Sequence, residues 1–148
     1  MLVRQILKEK SDGGAEAGVV TVAPTESASA VAELLSSRRI GAVIVSSDGK
    51  APLGILSERD IVRELGRRGA GCLSDTAGDM MTQNLVGCTR DDTADAVLSK
   101  MTAGRFRHMP VMDGAEMIGL ISIGDVVKAR LSELSMETEA LQGMIMGH

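Results

Sequence analysis

The chain is written twice. Sliding the sequence against itself by 66 residues lays Val19–Val45 on Leu85–Val111, with identities at Val20/Val86, Ala28/Ala94, Ala30/Ala96, Val31/Val97, Arg39/Arg105 and Val45/Val111. One residue fewer in the following turn changes the offset to 65 and lays Leu53–Arg63 on Ile118–Lys128, where Gly54/Gly119, Ser57/Ser122, Asp60/Asp125 and Val62/Val127 are identical. These are ten identities in thirty-eight pairs. Chance would give about two or three. The pairs Leu53/Ile118, Ile55/Leu120, Leu56/Ile121 and Ile61/Val126 also keep their apolar character. A copy of about 50 residues sits near the lower limit for an independent core, so the two copies are expected to pack sheet to sheet as one pseudo-twofold unit.

Each copy carries the same signals. A short β segment, Val19–Val22 or Leu85–Cys88, leads to an N-capping Ser27 or Thr93 and a helix apolar at 28, 31, 32 and 35, or at 94, 97, 98 and 101. A hairpin follows: Ala42–Ser46 with Leu53–Leu56 around Asp48-Gly49, and Met109–Met112 with Met117–Ile121 around Asp113-Gly114. The second hairpin strand runs straight into a helix starting at Ser57 or Ser122. The fold class is therefore α+β, built of two βαββα repeats. Residues 1–18 form an N-terminal segment whose stretch Glu9–Gly18 reads as a Gly-rich loop, 19–69 the first repeat, 70–84 the linker and 85–134 the second repeat. The last part, 135–148, is a C-terminal amphipathic helical extension, with Leu131, Leu134, Leu141 and Ile145 on one side and a break expected at Ser135.

Composition removes several classes of function. A net charge of -4 gives no positive field to attract nucleic acid, and one Phe with no Tyr or Trp gives no ring platform for bases. Any purine must lie against aliphatic side chains and backbone. Cys72 and Cys88 lack CxxC spacing and the histidines are only His108 and His148, so neither a zinc site nor a disulfide is expected. No apolar run reaches membrane-span length, and Arg4, Lys8, Glu9 and Lys10 break up the N-terminus where a signal peptide needs apolar residues. A cytoplasmic protein with no membrane and no nucleic-acid partner is the expectation.

Any chemistry falls on two repeated heptapeptides, GILSERD (54–60) and GLISIGD (119–125). Ser-x-x-Asp at a strand-to-helix step makes a capping box, and that alone accounts for the spacing. Gly54 and Gly119 inside aliphatic strands add a mark of close approach by a ligand or another backbone. A helix N-terminus with a Ser hydroxyl favours phosphate, and an Asp carboxylate can accept both hydroxyls of a ribose. Arg59, Arg63, Arg105, Arg107, His108 and Lys128 fall near these steps and can balance the charge.

GILSERDIV, GLISIGDVV, RFRHMPVMD (105–113) and DMMT (79–82) resemble the signatures of a tandem cystathionine-β-synthase-type (CBS) domain pair, a Bateman module. The resemblance implies paired βαββα repeats with two clefts between them, and regulatory, non-catalytic binding of an adenosyl compound: AMP, ADP, ATP, NAD or S-adenosylmethionine. Carried over by position, Asp60 and Asp125 are the ribose aspartates, Ser57 and Ser122 the phosphate-side hydroxyls and Arg59 the phosphate arginine. Gly124 stands in Arg59's place in the second copy, which leaves Arg107, His108 or Lys128 to substitute. Ala42 and His108, Met109 and Pro110 match the strand entry that reads the adenine edge, and Thr21 and Thr82 match cleft-lining segments. The resemblance further implies a homodimer of CBS pairs and a regulated protein partner. Two rivals remain: an interaction scaffold whose Ser-x-x-Asp pairs are only caps, and a small nucleotide-processing enzyme using Asp60 or Asp125 with His108. No nucleophile elbow, P-loop or paired carboxylate supports the latter.

Overall fold

The computed structural model describes residues 1–12 and 19–145. The element order is α1 (Val3–Asp12), β1 (Thr21–Val22), α2 (Ala28–Arg38), β2 (Ala42–Val45), β3 (Gly54–Ser57), α3 (Glu58–Arg68), a 3-10 turn (Ala70–Ser74), α4 (Ala77–Met80), α5 (Ala94–Gly104), β4 (His108–Asp113), β5 (Glu116–Ser122) and α6 (Ile123–Ile145). The chain divides into two compact units. One comprises Gly18–Val86 with Met112–Ile118, and the other Met1–Ala17, Gly87–Val111 and Gly119–His148.

The first unit holds a three-stranded sheet ordered β1-β2-β3, with β1 parallel and β3 antiparallel to β2. Ser27 caps α2 through the Ala30 N–H, as its position before an apolar-periodic run predicts. The inward face of α2, Ala28, Val31 and Leu35, joins Val43, Val45, Leu56, Ile61, Cys72, Ala77 and Met80 in one core. All four residues of β2 are buried, whereas β3 alternates. That is the pattern of a central strand beside one that is only half covered. The stretch between the copies is itself ordered: Thr76 caps α4 in a full capping box with Asp79.

In the second copy Thr93 caps α5 through the Ala96 N–H, and β4 pairs with β5. The strand expected at Leu85–Cys88 does not form there; only an isolated parallel bridge joins Cys88 to Val111. Pro110 supplies the reason. In the first unit Ile44, at the matching position, donates its N–H to the Val20 carbonyl, 3.0 Å, and a proline has no N–H to give. The remaining link, Cys88 N–H to the Pro110 carbonyl at 3.0 Å, holds a single bridge.

Two further expectations need correction. Glu9–Asp12 are helical, not loop, because they continue α1; residues 13–18 of that stretch lie outside the described residues. The C-terminal helix does not break at Ser135 either. Between Gly124 and Gly143 there is neither glycine nor proline, and α6 runs unbroken over Ile123–Ile145.

α1 is the largest departure from the simple tandem. It packs on the second copy in the way α4 packs on the first. Ala94 N–H bonds to the Met1 carbonyl (2.9 Å), Val3 N–H to Asp92 (2.9 Å) and Arg4 N–H to Arg90 (3.1 Å). In the first unit Ala28 N–H bonds to Asp75 (2.8 Å), Ala77 N–H to Glu26 (2.7 Å) and Gly78 N–H to Pro24 (2.9 Å). All three bonds match under a shift of 66 on one side and 74 on the other. Each copy therefore draws its covering helix from a separate piece of chain, and that of the second copy comes first in sequence.

Candidate functional site

The predicted site residues fall into two groups, one in each unit. Thr21, Ala42, Ser57, Arg59, Asp60 and Thr82 belong to the first; Arg107, His108, Met109, Pro110, Ser122 and Asp125 to the second.

In the first unit β3 feeds α3 at Ser57, which stands opposite Ala42 on β2. Ser57 Oγ accepts the Asp60 N–H (3.2 Å) and donates to Asp60 Oδ2 (3.0 Å), while Oδ2 also accepts the Ser57 N–H (2.9 Å). This is a complete capping box. The other carboxylate oxygen, Oδ1, accepts from the Arg63 guanidinium at 2.9 Å. The Glu58 N–H is taken by the Gly41 carbonyl, 2.9 Å. Two first-turn N–H groups are therefore engaged by the protein, and the opening to an anion is narrower than the helix start alone implies. Arg59 and Arg63 are exposed, and together with Glu58 and Val62 they line a recess of about 390 Å³. Thr82 lies along the free edge of β3, exchanging backbone hydrogen bonds with Ile55 at 2.8 and 3.0 Å. Thr21, Ile44, Ile55 and Thr82 form one row across the sheet. At strand spacing this sets the two threonines roughly 14 Å apart, on either side of the β2–β3 pair.

The second unit repeats the box. Ser122 N–H donates to Asp125 Oδ2 (2.8 Å), and Asp125 N–H donates to Ser122 Oγ (3.2 Å). The Ile123 N–H is taken by the Arg107 carbonyl, 2.8 Å, as Glu58 is by Gly41. Met109 and Pro110 are buried in β4, His108 is half-buried at its start, and Arg107 is exposed.

Both glycines before the steps are explained by packing. A Cβ on Gly54 would stand 2.5 Å from Met81 Sδ and 2.8 Å from the Thr82 carbonyl oxygen, and one on Gly119 would stand 2.7 Å from Leu7 Cδ2. The close approach is by the covering segments of the protein itself.

Lys10, which the repeat pattern did not flag, completes the second step. Its Nζ donates to Asp125 Oδ2 and to the Leu120 carbonyl, each at 2.9 Å. Leu120 matches Ile55 of the first copy, whose carbonyl is satisfied instead by the Thr82 N–H. The signal was present in α1: Lys10 sits seven residues after buried Val3, on the helix face that Val3 and Ile6 bury. A lysine there needs a partner.

Both cysteines are buried free thiols, and burial, with the Asp92 carboxylate nearby, pushes the Cys88 thiol up to about 11. Among the described residues no His, Cys, Asp and Glu group could hold a metal ion, and no helix is long and apolar enough to cross a membrane.

A helix, β-hairpin and helix written twice, with a Ser-x-x-Asp box at each strand-to-helix step, define a tandem-repeat α+β architecture, and the comparisons agree. The CBS domain pattern matches residues 16–67 and 77–132, and the chain belongs to the CBS-domain family. It is 35% identical over 117 residues to the mitochondrial CBS domain-containing protein CBSX3 of Arabidopsis thaliana, covering 76% of this chain and 57% of that protein. The chain thus spans little more than half the length of that relative. The crystal structure of the CBS-domain containing protein ATU1752 from Agrobacterium tumefaciens is 42% identical, with a TM-score of 0.80 over 88% of this chain and 99% of that one. The CBS domain protein PAE2072 from Pyrobaculum aerophilum, solved in complex with AMP, is 25% identical, with a TM-score of 0.75 over 92% of this chain and 99% of that one.

Proposed function

We propose that this chain is a non-catalytic regulatory module that binds an adenine nucleotide, AMP, ADP, ATP or NAD, at its two Ser-x-x-Asp steps. Binding favours one arrangement of the module and so alters the surface met by a regulated protein. Such signalling requires different affinities for the two arrangements. The observation that carries the reading is the repeated geometry: one carboxylate and one hydroxyl at a helix start in each copy, with Arg59 and Arg63 beside the first. The AMP complex of the similar Pyrobaculum protein supports the ligand class. In this reading Asp60 and Asp125 take the ribose hydroxyls, and Arg59 the phosphate. Arg63, whose side chain is exposed, swings away to free Oδ1, and the ribose hydroxyls replace it on the buried Asp60 carboxylate.

A scaffold reading has one observation in its favour: both boxes are already satisfied by the chain's own groups. Thermal unfolding with millimolar AMP, ADP, ATP and NAD separates the two. Binding at submillimolar affinity raises the melting temperature, and Asp60→Asn diminishes the rise. Equal melting curves with and without every nucleotide would leave the boxes as caps.

The dimer belongs to the same reading. Val127, Leu131, Leu134 and Leu141 are exposed along one side of α6, and a second copy of the chain would cover them.

A further inference from the structure

The two steps differ in their cation. Arg59 of the first copy is replaced by Gly124 in the second, and the positive charge at the second step arrives instead from α1, as Lys10. The Lys10 side chain is 29% exposed against 56% for Arg63 at the first step, so the cation of the second step is less open to water, although its carboxylate, Asp125 at 22%, is more open than Asp60 at 10%. Lys10 also cannot leave with its helix at little cost. α1 is held by the three backbone bonds described above, by Leu7 over Gly119 and by ion pairs from the Met1 amino group to Glu133 and from Arg4 to Asp91.

We infer that Lys10 makes the second step selective for phosphate-bearing nucleosides over neutral or cationic adenosyl compounds. The inference rests on the nucleotide reading above. A ribose whose two hydroxyls take both carboxylate oxygens of Asp125 must displace the Lys10 ammonium from Oδ2. If the ligand carries a phosphate, the ammonium exchanges one anion for another and remains paired. If the ligand is neutral or cationic, Lys10 keeps only the Leu120 carbonyl and loses its counter-charge in a partly enclosed place. At the first step Arg63 turns into solvent whichever ligand binds and only the exposed Arg59 is left to favour a phosphate, so discrimination there is weaker.

Calorimetric titration of AMP and of adenosine into the full chain carrying Asp60→Asn isolates the second step, and the same titrations in the Asp125→Asn chain isolate the first. The AMP-to-adenosine affinity ratio is expected to be larger at the second step. Adding Lys10→Met to the Asp60→Asn chain should lower that ratio by about tenfold or more, as AMP weakens and adenosine tightens. Lys10→Arg should restore it, which separates lost charge from lost folding. A ratio unchanged by Lys10→Met, or a parallel tightening of both ligands, would overturn the selectivity while leaving the nucleotide reading standing. No binding of either ligand to the unsubstituted chain would overturn both.

Discussion

Arg39 and Arg105 hold the same unusual backbone conformation in the two copies. Each closes its helix in the left-handed region, with φ of 54° and 56°, and each donates its N–H to a carbonyl of the last turn. A side chain strains that region and glycine does not, so the shared arginine works against the cap it occupies. Both side chains are exposed. Arg105→Gly is therefore expected to stabilise the fold by about 0.5–1 kcal/mol, read as a higher urea midpoint, whereas a lower midpoint would show that the arginine side chain holds a contact of its own. Cys88 gives a second residue-scale outcome. Its folded thiol titrates near 11 against an ordinary value of 9.0. Between those values the unfolded chain has released a proton that the native chain keeps, so stability falls as pH rises from about 9 towards 11. Cys88→Ala should remove that dependence in urea titrations at stepped pH. Sequence reading identified the capping serines, threonine and aspartates correctly, since a cap is a local hydrogen bond between neighbours in the chain. It missed Lys10, whose partners lie at positions 120 and 125.

At the scale of elements, α4 and α1 do one job with no identical residue among Asp75–Thr82 and Met1–Lys8. A search for repeats in sequence order cannot pair them, because backbone bonds, not side chains, carry the likeness and the order is reversed. The elements legible in the sequence were the helices with apolar periodicity and a cap, α2, α3, α5 and the start of α6, and the two hairpins marked by Asp-Gly turns, β2 with β3 and β4 with β5. The strand lost at Leu85–Cys88 depended on a partner N–H that Pro110 lacks, a fact written at the partner position and not in the strand. The two covering segments also predict unequal glycine substitutions. A methyl on Gly54 meets the Thr82 backbone carbonyl, which is fixed by its bond to Ile55, while one on Gly119 meets only the end of the Leu7 side chain. Gly54→Ala should cost about 1–3 kcal/mol and Gly119→Ala less, with equal losses in chemical denaturation contradicting this packing.

For the whole molecule, the fold class and its duplication were legible because ten identities recur at nearly constant spacing. Assembly follows from surface. Leu131 is 63% exposed on α6, and Leu131→Glu should reduce a dimer to monomer in light scattering with little change in melting temperature. A chain that is already monomeric before substitution would remove α6 as a contact between copies. The central claim concerns the steps themselves, and nuclear magnetic resonance of the 15N-labelled chain titrated with AMP tests it most directly. The amide signals of Ser57–Asp60 and Ser122–Asp125 should move saturably at submillimolar nucleotide. A spectrum in which those eight amides stay still while AMP reaches several millimolar would contradict it.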